Sequence, residues 1–215
     1  MVFRNFFNRA KSTLKNLNKK IRNERKELFK ILTKLQNNLE RQKFIRSYCK
    51  NQAYHNLLGN ELSRKFCELS EKIDNEANIL YSLRVHIAKE IGLLEKVLNA
   101  YNEEIRRADQ KGLSYKKQEL EATKLKILEA AKEYVQESEI LNKIVNLHNE
   151  KKKILDELQR EIKNEAINRD LKELNKLIND EDSIINKLKK YINEEKKIIN
   201  EENHVLEPIY KTEEY

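Results

Sequence analysis

The chain has 215 residues, of which 37% are charged and 7% aromatic, with three Gly, one Pro and no Trp. So few turn-formers leave room for few turns, which excludes a sheet protein with its many hairpins. The net charge of +8 is lodged in one place: residues 1–30 hold ten cations (Arg4, Arg9, Lys11, Lys15, Lys19, Lys20, Arg22, Arg25, Lys26, Lys30) against Glu24 and Glu27, and the remainder is balanced.

Chains rich in Lys, Glu, Leu and Ile with seven-residue apolar repeats form long helices in narrow bundles, whose core is a seam with no room for a substrate pocket. The expected fold is therefore all-α: an elongated antiparallel coiled coil, or up-down-up-down bundle, of long helices. Cys49 and Cys67 lack a Cys-x-x-Cys spacing and are too few for a disulfide framework, which points to a reducing, cytoplasmic location. No apolar run approaches the ~18 residues that span a bilayer. Residues 1–23 are amphipathic and free of acids, as transit peptides are, but Lys and Asn stand where those peptides carry Arg and Ser.

Residues 2 to about 56 read as one helix, with Phe3, Phe6, Phe7, Ala10, Leu14, Leu17, Ile21, Leu28, Ile31, Leu32, Leu35 and Leu39 spaced three and four apart. A turn is expected at Gly59-Asn60, where Gly supplies the left-handed helix end and Asn60 caps the next helix. Phe66, Ile73, Leu80, Ile87, Leu94, Tyr101 and Ala108 then recur at sevens, beside an offset series of Ala77, Arg84, Ile91, Leu98 and Ile105. That is a coiled-coil seam. Gly92 lies inside this ladder and is expected within the helix.

A second turn is expected near 109–113, at Gly112. The next ladder is Leu113, Leu120, Ile127, Tyr134, Leu141, His148, Leu155 and Ile162, flanked by Ala131, Val145, Ile154 and Leu158. A third break is expected between Asn164 and Asp170, with Asp170-Leu-Lys-Glu173 as a capping box and Asp180-Glu-Asp-Ser183 as its competitor. The last ladder runs Leu171, Ile178, Ile185, Ile192, Ile199, Leu206 beside Leu177, Ile184, Tyr191, Ile198 and Val205, with Leu174 and Leu188 on its other side. The expected division is 1–58 as a basic amphipathic helix, 59–165 as a helical hairpin, 166–207 as a closing helix and 208–215 as a frayed acidic tail after Pro208.

Legs of about 50 residues, each near 75 Å at ~1.5 Å per residue, bring the first residues and the 109–113 turn to one pole. The expected contact set for a membrane or polyanion is accordingly Phe3, Arg4, Phe6, Phe7, Arg9, Lys11, Lys15, Lys19, Lys20 and Arg22, joined by Arg106, Arg107 and Lys111. Aromatic rings backed by cations suit an interfacial helix, the rings entering the acyl boundary and the cations meeting anionic headgroups. Its first 21 residues are expected to be dispensable for the fold. An amphipathic first helix leading into a long hairpin resembles, in architecture, membrane-remodelling proteins of the ESCRT-III and phage-shock type; no motif is shared and no residue is carried over.

Candidate chemistry is sparse. Cys49, His55 and Cys67 have neither the tight pairing nor the fourth ligand of structural zinc. Glu201-Glu-Asn-His204 has the Glu-x-x-His spacing of di-iron bundles but no second copy. Glu181, Glu195 and Glu202 recur at sevens and are expected at a seam edge, paired with Lys across helices. His148, at a core position, is expected as a partly solvated register residue. No base accompanies Ser12-Thr13 or Ser114 at motif spacing. No catalytic residue, cofactor or metal is assigned. The function expected is a non-enzymatic coiled-coil scaffold or interaction protein, peripherally membrane-associated through its basic aromatic first helix and able to self-associate. The alternatives are a nucleic-acid-binding helical protein using the same cations and a purely structural adaptor.

Overall fold

The computed structural model describes residues 2–47, 52–111 and 117–211, and the side chains of 12–44, 58–103, 106 and 121–204. The protein is an all-α helical bundle of four helices: α1 (Val2–Ser47), α2 (Gln52–Lys111), α3 (Lys117–Glu161) and α4 (Glu165–Lys211). No strand occurs among the described residues, and no helix there is long and apolar enough to cross a membrane.

The first helix buries its expected ladder from Leu14 to Leu39 and then Gln42, and Phe44 beyond them is 68% exposed. Residues 48–51, within the stretch expected as one helix, lie outside the described residues. Gly59, where the turn was expected, is non-helical, with φ 72° and ψ 168°, and divides two helices within Gln52–Lys111; this is a backbone region that essentially only Gly occupies, and the Lys43–Asp74 and Arg84–Gln36 pairs are centred on it. The turn expected at Gly112 falls on 112–116, outside the described residues.

The α3–α4 connection lies where it was expected, though its cap does not. Asn164 Oδ1 accepts hydrogen bonds from the backbone N–H groups of Ala166 (3.0 Å) and Ile167 (3.3 Å), the role of an N-cap. Asn168 Nδ2 donates to the Ile162 carbonyl (2.8 Å), satisfying an acceptor left at the end of α3. Asp170 and Asp180 both lie inside α4.

Two compact units divide the chain, and each draws on a length of every helix: unit 1 comprises 1–28, 85–138 and 190–215, and unit 2 comprises 29–84 and 139–189. In unit 2, Lys43–Asp74 (3.4 Å) and Arg84–Gln36 (2.5 Å) set α1 antiparallel to α2. Lys65–Glu157 (3.4 Å) and Lys72–Glu150 (2.5 Å) do the same for α2 and α3. In unit 1, Arg25–Glu95 (2.9 Å) joins α1 to α2, His86–Glu133 (2.7 Å) joins α2 to α3, and Lys20–Glu201 (2.7 Å) joins α1 to α4. Exposed pairs of this kind contribute little energy each; burial of the apolar columns supplies the rest.

Each helix buries two columns. In α2 the first, Phe66, Ile73, Leu80, Ile87, Leu94 and Tyr101, is the expected one and is at most 5% exposed. The second is Leu69, Glu76, Leu83, Glu90 and Val97, three residues on from the first and so on the same face of a 3.5-residue repeat. Of the expected offset series, Ile91 and Leu98 are buried as well, while Ala77 and Arg84 are only half-buried. Helix α3 likewise buries Thr123, Ala130, Glu137, Ile144, Lys151 and Leu158, and α4 buries Ile167, Leu174, Glu181, Leu188, Glu195 and Glu202. The core therefore admits charged side chains at seven-residue intervals.

The two described glycines give substitutions of opposite sign. An added Cβ would meet nothing within 4 Å at either position, but only Gly59 has positive φ. Gly59→Ala should destabilise by about 1–2 kcal/mol through backbone strain alone, whereas Gly92→Ala, inside a regular helix, should stabilise by about 0.5–1 kcal/mol. Urea unfolding of both variants checks this, and equal effects would contradict the kink.

Candidate functional site

The described cations of α1 sit on its outer face. Lys15, Lys19, Lys20 and Arg22 are exposed, while Leu14, Leu17 and Ile21 between them are at most 2% exposed. The apolar stripe of this helix is thus covered by unit 1 itself. Lys20 Nζ donates to Glu201 Oε1 (2.8 Å) and Oε2 (2.7 Å). Arg106 is exposed on α2. All the expected contact residues belong to unit 1; the side chains of Phe3, Arg4, Phe6, Phe7, Arg9, Lys11, Arg107 and Lys111 lie outside the described residues.

Neither metal pattern noted in the sequence forms a site among the described residues. Cys67 is exposed and unpaired, and the side chains of Cys49 and His55 lie outside the described residues. Glu201 faces Lys20 and His204 is exposed, whereas the intervening Glu202 is the residue that turns inward, at 0% exposure.

The chemistry lies in the core columns. In unit 2 each helix contributes one fully buried polar residue: Gln42, Glu76, Lys151 and Glu181. Lys151 Nζ stands 2.8 Å from both Glu181 oxygens, 2.5 Å from Glu76 Oε2 and 3.2 Å from Gln42 Oε1. Gln42 Nε2 donates to Glu181 Oε2 (2.5 Å) and to Asn38 Oδ1 (2.5 Å). Burial raises Glu76 well above the ordinary carboxyl range, Lys151 opposing and Glu181 reinforcing the shift. Glu181 goes the other way: burial opposes ionisation, but the His148 hydrogen bond and the Lys151 charge prevail and bring it to about 2. The layer thus sets Lys151 between two glutamates that burial and partners push in opposite directions.

His148 is not the partly solvated residue expected from its heptad position: it is 2% exposed. Its Nδ1 lies 2.8 Å from Glu181 Oε1 and its Nε2 2.7 Å from Asp182 Oδ1. Only a doubly protonated ring donates in both directions. Burial acts to raise Asp182 too, but hydrogen bonds from Lys152 and His148 hold it below its ordinary value.

Unit 1 carries the same kind of layer without the lysine. Glu90, Glu137 and Glu195, from α2, α3 and α4, are at most 1% exposed and place carboxylate oxygens within 4.8 Å of one another. No residue outside the trio donates a hydrogen bond to their oxygens; Glu137 stands within hydrogen-bond reach of both Glu90 and Glu195, so a protonated carboxyl donates to its neighbour. Burial pushes Glu90 and Glu137 up to about 10, Glu137 reinforcing the first and Glu195 the second. Glu195 is raised well above the ordinary range by burial and then by Glu90. From α1, Glu24 is pushed up to about 7 by burial and by Glu194, with Lys20 opposing. Beside this layer Glu133 accepts from His86 Nδ1 (2.7 Å) and from Lys89; burial would raise Glu133, but these two partners hold it down.

Of the three glutamates expected to pair with Lys at a seam edge, only Glu181 does so. Glu195 and Glu202 face inward, and no lysine bonds either of them. Glu76, Glu90, Glu137 and Lys151 had no place in the sequence reading. The signal that could have found them is the +3 offset from each apolar ladder, which runs straight through them.

Breaking the paired layer should be costly. Lys151→Met removes the only cation within reach of Glu181 besides His148, and an uncompensated buried charge of this kind costs about 3–5 kcal/mol. Adding Glu181→Gln should return part of that loss in urea unfolding near neutral pH; a single variant within about 0.5 kcal/mol of wild type would show that the layer contributes nothing.

Glu202 gives a pH dependence. Burial alone raises it from 4.5 to about 8. Between those values the unfolded chain has released the proton that the folded chain keeps, so stability falls as pH rises, by about 1.4 kcal/mol per unit. Below the window both states are protonated, and above it both are ionised, so neither region contributes a slope. Glu202→Gln should therefore melt higher than wild type near pH 8, with a shallower slope of melting temperature from about pH 5; parallel curves would contradict the burial.

Comparison with family models, with curated proteins and with solved structures gave no match to this chain.

Proposed function

We propose that the protein is a non-enzymatic helical scaffold that docks on an anionic membrane surface through the cationic face of α1. The observation that carries this reading is the separation of faces on that helix: Leu14, Leu17 and Ile21 point into the core while Lys15, Lys19, Arg22 and Lys26 point to solvent. Over these residues the contact is electrostatic and needs no insertion. A cleft of about 440 Å³ beside them is lined by Asn16, Lys19 and Asn23, which offer donors to a headgroup phosphate, and by Lys20, which Glu201 of the same cleft engages. Each lysine or arginine near an anionic leaflet contributes about 1 kcal/mol, falling off within a Debye length.

Scaffolding also needs a surface for further copies, and α3 has one. Leu125, Leu128 and Val135 are 61%, 50% and 50% exposed, three and seven residues apart and hence on neighbouring rows of one helix. The expectation that residues 1–21 are dispensable does not survive the structure: Leu14, Leu17 and Ile21 are core residues, so removing them would damage unit 1.

The test is therefore charge removal. The variant carrying Lys15→Gln, Lys19→Gln, Arg22→Gln and Lys26→Gln should keep wild-type helicity yet lose cosedimentation with phosphatidylserine-containing vesicles by about a hundredfold or more, given four such contacts. Wild type should stay in the supernatant with purely zwitterionic vesicles. Undiminished pelleting of the variant would overturn the reading, and so would wild type that ignores vesicles but binds DNA with a steep salt dependence.

A further inference from the structure

We propose that Glu90, Glu137 and Glu195 form a binding site inside unit 1 for one hard divalent cation, of the Mn²⁺ or Ca²⁺ kind. The three side chains come from three helices, and their ligand atoms lie within 4.8 Å of one another. Bonds of about 2.1–2.6 Å from one ion to its oxygens place those oxygens ~3–5 Å apart, so one ion reaches all three. An oxygen-only donor set favours Mg²⁺, Ca²⁺ or Mn²⁺ over softer metals.

Glu24 supplies an independent pointer from the fourth helix. It is 7% exposed, and its Oε1 has no hydrogen-bond partner. Its carboxyl is close enough for its charge to act on both Glu90 and Glu195. Glu24 also lines a cleft of about 370 Å³ between α1 and α4, together with Glu194, Tyr191 and Ile198.

The neighbouring cations are already engaged. His86 and Lys89 both bond Glu133, and Lys20 bonds Glu201. In unit 2 the equivalent column of α3 supplies Lys151 to neutralise Glu181, whereas in unit 1 it supplies Glu137, two repeats earlier. A divalent ion does for the glutamate layer what the ammonium does for the lysine layer. It offsets carboxylate charge that no lysine of the layer offsets, and it gives bonds to oxygens whose only hydrogen-bond partners are one another.

Mn²⁺ titration of the metal-free full-length chain, followed by electron paramagnetic resonance of the free ion, tests the site. Wild type should bind one Mn²⁺ per chain, displaceable by Ca²⁺, and melt at a higher temperature when loaded. Glu137→Gln keeps shape and hydrogen-bonding size but loses a ligand charge, and Glu195→Asp keeps the charge but withdraws the oxygen by one methylene. Each should weaken Mn²⁺ binding by at least about tenfold, the loss that removal of even an outer-shell partner causes. Glu202→Gln, a buried glutamate outside the trio, should leave affinity unchanged. The proposal is overturned if wild type takes up none of Mn²⁺, Ca²⁺ and Mg²⁺ stoichiometrically, or if helical Glu137→Gln and Glu195→Asp bind as wild type does.

Discussion

A buried charge must find a counter-charge, a proton or a metal, because taking it out of water costs far more than packing returns. This constraint organises the interior. Every helix of the bundle devotes one seven-residue column to the core and places ionisable or amide side chains in it, and the two units meet the resulting demand differently. In unit 2, Lys151 sits among Glu76, Glu181 and Gln42, with His148 bridging Glu181 to Asp182. In unit 1, Glu90, Glu137 and Glu195 meet one another instead.

These layers also define register. Leucine and isoleucine columns fit each other at many offsets, since one apolar rung resembles the next. A buried lysine does not: sliding α3 by one heptad against α4 would bring Lys151 opposite Leu174 or Leu188 and leave both it and Glu181 unpaired. Polar core residues are best attested in this register-setting role. The bundle thus gives up some apolar burial and gains a single alignment.

Much of the fold was legible in the sequence. The scarcity of Gly and Pro together with ladders such as Phe66 to Tyr101 and Leu171 to Ile199 dictates long helices, and the break between Asn164 and Asp170 was legible in position, although Asn164 and not Asp170 supplies the cap. The turn at Gly59 was legible from the glycine itself, which alone tolerates the backbone angles found there. The candidate site was almost illegible. A search for apolar periodicity discards glutamates, so it finds the buried Ile91 and Leu98 but passes over the column that runs through Glu76 and Glu90. Charged residues at seven-residue spacing ordinarily read as a solvated face, and only three-dimensional packing shows which of two adjacent rows turns inward. The cations of α1 were legible because surplus charge needs no packing to be counted.

Inner and outer faces therefore do separate work. The outer face of α1 concentrates positive charge, which under the proposed function meets a polyanionic surface at long range, while the inner columns hold the helices in alignment and concentrate carboxyls. Site-resolved carboxyl titration by carbon-13 NMR on metal-free protein measures the inner arrangement most directly. The account predicts Glu181 titrating at about 2 and Glu90 and Glu137 at about 10 while the bundle remains folded. Glutamates that all titrate together near 4.5 would contradict it, since no carboxyl at that value is buried among apolar columns.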